Sequence, residues 1–423
     1  MAQTDGAYGA YSPYSIYGVG ELNKGGTSFT RSMGGIGIAT RNRKFINTMN
    51  PAAVTARDTL SFMADFGIGG NNKIFSQKIE GETVHSANNT FNLNDFILSF
   101  PLYKSSAMMI GITPFSNVGY NYTSSVTDPE IIGNTGNISY NSYGEGGMYE
   151  IFAAAGATFW KRFSAGAEIL YYFGNMDKVT NQIYSNASTR YINSGSTLFL
   201  NGLTGKFGIQ YEQKVGNNLS LTVGATYKMK TSLKGYCDTY SYAVLSSVSD
   251  TLKQNSDTLG VNSKAYFADE IGVGISIGKP DRWSAEFNWI RSGWNKSNFD
   301  SIEGLSIKPK EIEFSATASN SYRAGFEFVP NRDDIRYYFK RCSYRGGVYH
   351  DESYYLFDGN KVASTGITLG ITFPVFTYYN GISLGLDMGQ RASIRNNMVR
   401  ERYVNFSIGI NIHDIWFQKP RYE

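Results

Sequence analysis

Apolar and polar residues alternate along most of this chain. From about residue 58 onward, roughly fourteen segments carry an apolar side chain at every other position. In residues 219–230 the odd positions are all apolar, whereas the even positions are small, polar or charged. Because successive side chains of a β-strand point to opposite faces, these segments predict strands with one apolar and one polar face.

The gaps between these segments alternate between short and long. Short polar gaps follow the even-numbered segments, at Lys104, Lys161-Arg162, Gly216-Asn217-Asn218, Lys279 to Arg282, Arg332-Asp333-Asp334 and Tyr378-Tyr379-Asn380. Gaps of about a dozen residues or more follow most odd-numbered segments, for example residues 71–89, 175–197 and 231–262. Tight turns at one end, long loops at the other and an even strand number are typical of a bacterial outer-membrane barrel.

The predicted fold is therefore all-β, a transmembrane antiparallel β-barrel of about fourteen strands over residues 58–423. The apolar faces would contact lipid, and the small polar faces would line the lumen. Both termini fall on the short-turn side, which in such barrels is the periplasm, and the long loops would be extracellular. The predicted location is the cell outer membrane.

Composition supports a membrane barrel over a soluble protein. Charged residues make up 17% of the chain, below the roughly 25% of soluble domains. Aromatic residues make up 15%, as interfacial girdles require. A soluble β-sandwich is the alternative, but its strands usually have about 5–6 residues, and many segments here are longer. A net charge of +4 gives no indication of nucleic acid binding.

The first 57 residues do not alternate. They are rich in glycine and end in Asn50-Pro51-Ala52-Ala53. A segment this long needs packing partners to be ordered, and a fourteen-stranded barrel has a lumen too wide for its own side chains to fill. Residues 1–57 are therefore predicted to form a hatch, or plug, inside the barrel.

Charged residues on the polar faces are predicted to pair with one another or with the hatch. They are Asp65, Glu168, Lys228, Lys230, Glu286, Arg323, Glu327 and Asp387. Such pairing is expected, because a charge shielded from bulk water needs a partner.

No residue pattern points to catalysis or to a cofactor. The chain has two cysteines, Cys237 and Cys342, predicted to lie at different heights, which argues against a disulfide. Its three histidines, His85, His350 and His413, have no serine placed beside them by a recognisable motif. We therefore expect no catalytic residues, no metal site and no cofactor.

Two stretches resemble the FadL-type outer-membrane transporters of hydrophobic compounds. That family carries an Asn-Pro-Ala motif in an N-terminal hatch, as at Asn50-Pro51-Ala52. Its third strand often has a Gly-rich run into Pro-Phe-Gly, which is similar to residues 109–116 with Gly111, Pro114 and Phe115. Fourteen strands is also the family's number.

The resemblance implies passive uptake of hydrophobic small molecules such as long-chain fatty acids. In FadL-type proteins the third strand kinks inward, and the resulting gap lets the ligand leave sideways into the membrane. Pro114 offers a physical reason for such a kink, since proline cannot donate to a sheet ladder. The transport path would then involve Asn50, Pro51, Ala52, Gly111, Pro114, Phe115 and Asn117. Outer-membrane lipids and the ligand are the expected partners.

Some residues depart from the family's pattern. Ser116 replaces the usual glycine, and Arg41-Asn42-Arg43-Lys44 stands where many members carry acidic residues. The opening residues 11–18 resemble FadL-like proteins of Bacteroidetes. These differences bear on the identity of the ligand more than on the fold. Because some FadL-type barrels are partners in larger outer-membrane machines, the resemblance leaves an alternative open, in which the barrel transports nothing and is a subunit of a secretion or assembly complex with an envelope protein partner.

Overall fold

The computed structural model describes residues 11–57, 60–79, 81–125, 137–185, 190–216, 218–245, 248–306, 313–375 and 380–415. It forms a closed, antiparallel, fourteen-stranded barrel, which confirms the predicted fold. Parts of the predicted turns at residues 216–218 and 378–380 lie outside these described residues.

Several wall strands are interrupted, so the strand segments outnumber the fourteen strands of the barrel. The segments are β1 (Glu21–Leu22), β2 (Ser61–Ile79), β3 (Glu82–Tyr103), β4 (Ser106–Asn117), β5 (Tyr120–Ser125), β6 (Ile138–Phe159), β7 (Phe163–Tyr184), β8 (Arg190–Val215), β9 (Leu219–Lys228), β10 (Thr231–Ser232), β11 (Lys234–Leu245), β12 (Val248–Leu259), β13 (Tyr266–Phe267), β14 (Glu270–Lys279), β15 (Trp283–Ser292), β16 (Phe314–Ala316), β17 (Ser319–Phe328), β18 (Ser343–Phe357), β19 (Asn360–Pro374), β20 (Gly381–Arg391) and β21 (Arg400–Ile415). The short helices are α1 (Ser28–Arg31), α2 (Tyr338–Arg341) and the 3-10 turns Pro13–Ile16, Pro51–Thr55, Trp294–Lys296 and Phe299–Ser301.

The barrel closes between its first and last wall strands. β2 pairs antiparallel with β21 from Ser61↔Ile415 to Ser76↔Arg400. Closure removes the free edges that an open sheet would expose, which is why a sheet can span a bilayer.

The two faces of the wall follow the alternation in the sequence. In β14 the outward residues Ile271, Val273, Ile275 and Ile277 are 41–48% exposed, and glycines or Ser276 lie between them. Most exposed large side chains of the wall belong to the same outward, apolar set. An apolar outer band on a closed barrel identifies an outer-membrane protein. No helix among the described residues has the length and apolarity to cross a membrane.

At the long-loop end, much of the sequence predicted to form loops is β-strand in the structure, so the prediction is wrong there. Residues 71–89 and 175–197 are mostly strand, because β2, β3, β7 and β8 continue past the apolar band. Residues 231–262 contain the hairpin of β11 and β12. Outside lipid a strand no longer needs an apolar face, so the alternation disappears while the backbone ladder continues.

The N-terminal segment lies against the inner face of the wall. Ser12 Oγ donates to the carboxylate of Glu401 in β21. Further along, Gly34 N donates to Thr368 Oγ1 of β19 at 2.7 Å, and Lys206 Nζ of β8 donates to Thr48 O at 3.2 Å. The segment therefore contacts strands all around the lumen.

Candidate functional site

The wall separates on one side of β4. β3 and β4 pair from Tyr103↔Ser106 to Phe96↔Ile112, with an irregularity near Pro101. On the long-loop side of Phe96, β3 pairs only with β2 among the described residues, and this pairing continues to Ile79↔Glu82. The upper halves of β3 and β4 are thus not joined by a backbone ladder.

Pro114 lies where β4 changes partners. The β4–β6 register shifts between Pro114 and Ser116, as expected of a residue without an N–H group. On the side that faced β3, the backbone of β4 takes up β1 instead, with Glu21↔Asn117 and Leu22↔Ser116. The N-terminal segment therefore adds a short strand to the displaced part of β4.

Asn23 fixes this junction. Its backbone N–H donates to Phe115 O at 2.9 Å, and its side-chain amide donates to Pro114 O at 3.3 Å. Asn117 in turn donates to Asn23 Oδ1 at 3.0 Å. These bonds satisfy backbone carbonyls that β3 would satisfy in an unbroken wall.

A cavity of about 370 Å³ extends to both separated strands. Asn92 and Asn94 of β3 line it on one side, and Pro114, Phe115 and Asn117 of β4 line it on the other. The cavity is the size of a small-molecule site.

The cavity lining includes charges that are paired within the protein. The pairs are Lys24–Asp387 at 2.7 Å, Arg323–Asp351 at 3.0 Å, Lys206–Glu168 at 3.6 Å and Lys228–Glu270 at 3.6 Å. Their mutual neutralisation leaves a polar surface without a large local charge. The prediction that inward charges pair with one another or with the N-terminal segment is confirmed for Glu168, Lys228, Arg323 and Asp387. Lys230 is exposed and lies over the Tyr266 ring at 3.8 Å.

Aromatic rings also line the cavity, among them Phe115, Tyr172, Trp294 and Tyr354. The Phe115 ring lies 4.6 Å from Tyr172 and 4.9 Å from Phe267, and Trp294 lies 4.9 Å from Tyr354. These centroid distances are those of favourable aromatic pairs. The cavity lining therefore includes both aromatic and charged side chains.

A buried ion network holds the N-terminal segment beside this cavity. Glu21 accepts from Arg391 at 2.6 Å and from Lys73 at 2.7 Å. Glu401, which is fully buried, also contacts Arg391, at 3.2 Å. Burial of Glu21 opposes its ionisation, but Arg391 and Lys73 outweigh burial and lower its pKa to about 2. Glu21 is therefore ionised at neutral pH.

Asn50, Pro51 and Ala52 lie elsewhere, against β7 and β8. Asn50 caps the 3-10 turn, because its Oδ1 accepts from Ala52 N at 3.0 Å. Its amide donates to Ile38 O at 2.8 Å and to Ile209 O at 3.2 Å. Asn50 therefore holds the turn in place against the wall, but Asn50, Pro51 and Ala52 do not line the cavity.

Close approach of the motif to the wall depends on glycine. A Cβ on Gly166 would lie 2.5 Å from the carbonyl of Pro51, and a Cβ on Gly208 would lie 2.0 Å from Asn50 Oδ1. Only glycine allows the segment to lie this near the strands.

Gly111 lies one step below the separation, in the paired part of β4 opposite Ile97 and Phe152. The structure thus brings together Pro114, Phe115 and Asn117, with Gly111 nearby. Sequence reasoning missed Glu21, Asn23 and Arg391, since nothing local distinguishes them from other polar residues.

The structure also places one serine beside a histidine. Ser76 Oγ lies 2.9 Å from His85 Nδ1 across the β2–β3 ladder, which the sequence analysis did not foresee. Cys237 belongs to β11 and Cys342 precedes β18, and each is recorded as a free thiol. Within the described ranges no group of three or more potential ligands could hold a metal ion.

Solved structures share this architecture. The toluene transporter TodX of Pseudomonas putida superposes with a TM-score of 0.60 at 13% identity, covering 96% of this chain and 100% of TodX. The toluene transporter TbuX of Ralstonia pickettii gives 0.55 at 14%, over 92% and 98% of the two chains. A FadL homologue of Pseudomonas aeruginosa gives 0.53 at 12%, over 92% and 99%.

These identities establish a shared fold and no more. The FadL-type architecture expected from the sequence is confirmed at that level. No curated protein sequence matches the chain. A family model described as BamG matches residues 1–423, the full sequence. The chain belongs to the BamG family.

The BamG model identifies the family of this chain, whereas the solved structures identify its fold. The match spans both the N-terminal segment and the wall, so it includes the segment that carries Glu21 as well as the strands that separate at Pro114. The structural neighbours are named as transporters and channels, in agreement with the expectation that this chain is not an enzyme.

Proposed function

We propose that this BamG-family barrel admits small hydrophobic or amphipathic molecules, such as long-chain fatty acids, and releases them sideways into the membrane. The observation that carries the proposal is the cavity whose lining comes from both separated strands, β3 and β4. The proposed path from this cavity to lipid runs between the two strands, past β1 of the N-terminal segment, which pairs with β4 there.

The cavity lining suits a molecule with two unlike ends. Rings such as Phe115 and Tyr172 offer an apolar surface, and charged side chains of the lining such as Lys24 offer hydrogen bonds to a carboxylate head. Structural neighbours named as toluene and monoaromatic hydrocarbon channels support a hydrophobic passenger.

The N-terminal segment acts as the predicted hatch in this proposal. It contacts strands around the lumen, and as a hatch it would block a straight route through the barrel and leave the lateral route. We also propose that the short-turn end of the barrel faces the periplasm, as the strand count predicts.

Photoaffinity labelling tests the proposal. Purified protein in nanodiscs is irradiated with a diazirine-bearing lauric acid, and the labelled peptides are mapped by mass spectrometry. Labelling of residues 88–96 and 112–118, suppressed by excess unlabelled laurate, is the expected result. Labelling confined to the outer apolar face, without such competition, would refute the proposal.

The structure also offers some support for the alternative of a non-transporting barrel in a larger outer-membrane machine. The buried network of Glu21, Lys73, Arg391 and Glu401 holds the N-terminal segment firmly, which a static structural part would require. Stoichiometric recovery of an envelope protein after mild extraction, together with an unlabelled cavity, would favour this candidate.

A further inference from the structure

The short-turn end of the barrel carries an excess of positive charge. We define its rim as residues 102–106, 159–163, 214–219, 279–283 and 329–342, the short turns that the structure describes with their flanking residues. The rim contains ten lysines or arginines and three aspartates. The β11–β12 hairpin at the other end, residues 234–259, contains two lysines and three aspartates.

Carboxylates of the rim are largely occupied within the protein. Asp281 contacts Arg332, and Lys44 of the N-terminal segment at 3.4 Å. Asp334 contacts Lys340 at 3.4 Å. The excess of cations therefore faces outward with few acids nearby to neutralise it.

Aromatic side chains accompany these cations in four of the five turns. Trp160 is 87% exposed and precedes Lys161 and Arg162, and Tyr103 is 72% exposed and precedes Lys104. Exposed aromatic and basic residues in adjacent positions are typical of the boundary between hydrocarbon and headgroups.

The longest turn, residues 329–342, extends this surface along the lipid-facing wall. Tyr344, on the outer face of β18, donates to Phe339 O at 3.0 Å, so the helical turn α2 lies beside lipid-facing residues. Phe339 is 65% exposed and Ile335 is 96% exposed. Lys340 Nζ lies 4.4 Å from the centre of the Tyr337 ring, so a cation lies beside the exposed aromatic side chains of this turn.

We propose that the rim binds the headgroups of acidic phospholipids and so anchors this end of the barrel in a phospholipid leaflet. Apolar side chains would enter the acyl region while the adjacent cations contact headgroup phosphates. Charge complementarity and continuity with the lipid-facing wall favour a lipid over a soluble partner.

Native mass spectrometry of retained lipid provides the test. The full chain is released from nanodiscs that contain phosphatidylethanolamine and phosphatidylglycerol in equal amounts. We expect retained phosphatidylglycerol to exceed phosphatidylethanolamine about tenfold, and the excess to fall severalfold between low and high salt. Equal retention of the two lipids would overturn the proposal.

Two variants make the test specific. Arg336→Gln/Lys340→Gln/Arg341→Gln removes charge from the longest turn and should reduce the preference severalfold, while the exposed cations of the other four turns remain. Lys234→Gln/Lys253→Gln removes two charges from the opposite end and should leave it unchanged. The heat-dependent electrophoretic shift of a folded barrel confirms folding of each variant. A lipid preference that is unaltered in the triple variant, or reduced equally in the triple and double variants, would contradict lipid binding by the rim. Capture of an acidic protein by a rim that shows no lipid preference would contradict it as well.

Discussion

Replacing Glu21 by glutamine should release the N-terminal segment from β4. Its carboxylate accepts from Arg391 at 2.6 Å and from Lys73 at 2.7 Å, with only 17% of the side chain exposed. Glutamine keeps the shape but removes the charge, leaving two buried cations to share Glu401. The peptide that contains β1 should therefore open more often.

The magnitude follows from the pKa. The pKa of Glu21 falls from its ordinary value of 4.5 in water to about 2 in the docked segment. At pH 7 this difference corresponds to about 3 kcal/mol in favour of docking, equivalent to ~100-fold in the opening equilibrium. Because the docked pKa is the lower one, this stabilisation is complete above pH 4.5 and is lost as the pH falls towards 2.

Hydrogen exchange followed by mass spectrometry measures the opening directly. In nanodiscs at pH 7, amides of residues 17–24 should exchange ~100-fold faster in Glu21→Gln than in the wild type. Glu303→Gln is the matched control, since its pair with Lys253 is over half exposed and should contribute at most about 1 kcal/mol.

Two results would refute this reasoning. One is exchange in Glu21→Gln within threefold of the wild type. The other is wild-type opening that does not increase between pH 5 and pH 3, after correction for the intrinsic exchange rate. Either result would mean that other contacts of the segment determine its docking.

Other predictions concern the motif at the short-turn end. Asn50→Ala removes a cap and two amide hydrogen bonds and should weaken docking of residues 45–57 by about 2–4 kcal/mol. Hydrogen exchange of these residues should be faster as a result. Asn42→Ala, in a more exposed turn, is the control and should change exchange little. Gly166→Ala should speed exchange of the same peptides, because the added Cβ would overlap the N-terminal segment. Gly346→Ala is the control and should leave exchange unchanged, because a Cβ there has no neighbour nearer than 3.8 Å. Unchanged exchange in Asn50→Ala or Gly166→Ala would show that the motif does not hold the segment.

The wall was predictable because lipid imposes a strict rule on each membrane-spanning strand. Residues 219–230 illustrate it, since outward positions such as Val223 and Tyr227 are exposed and apolar, and inward Thr222 and Thr226 are buried and polar. Outside the bilayer the rule no longer applies. The continuation of β2 to Ile79 was accordingly interpreted as a loop.

Residues of the cavity were only partly predictable. Pro114 signals a break in pairing by its own chemistry, and the structure shows the break there. Pairing of Glu21 with Arg391 joins residues 370 positions apart, and no local pattern predicts it. The addition of β1 to β4 was equally hidden, because a two-residue strand has no periodicity to detect.

The most direct test of lateral release is to lock the two separated strands together. In a Cys237→Ser/Cys342→Ser background, Asn92→Cys and Asn117→Cys place thiols on opposite sides of the cavity for a bis-maleimide. Uptake of labelled long-chain fatty acid is measured in a Gram-negative host without its own FadL-type transporters, with single-cysteine variants as controls. Cross-linking should reduce uptake to the level of the host without the barrel. Undiminished uptake through fully cross-linked protein would contradict a route between β3 and β4.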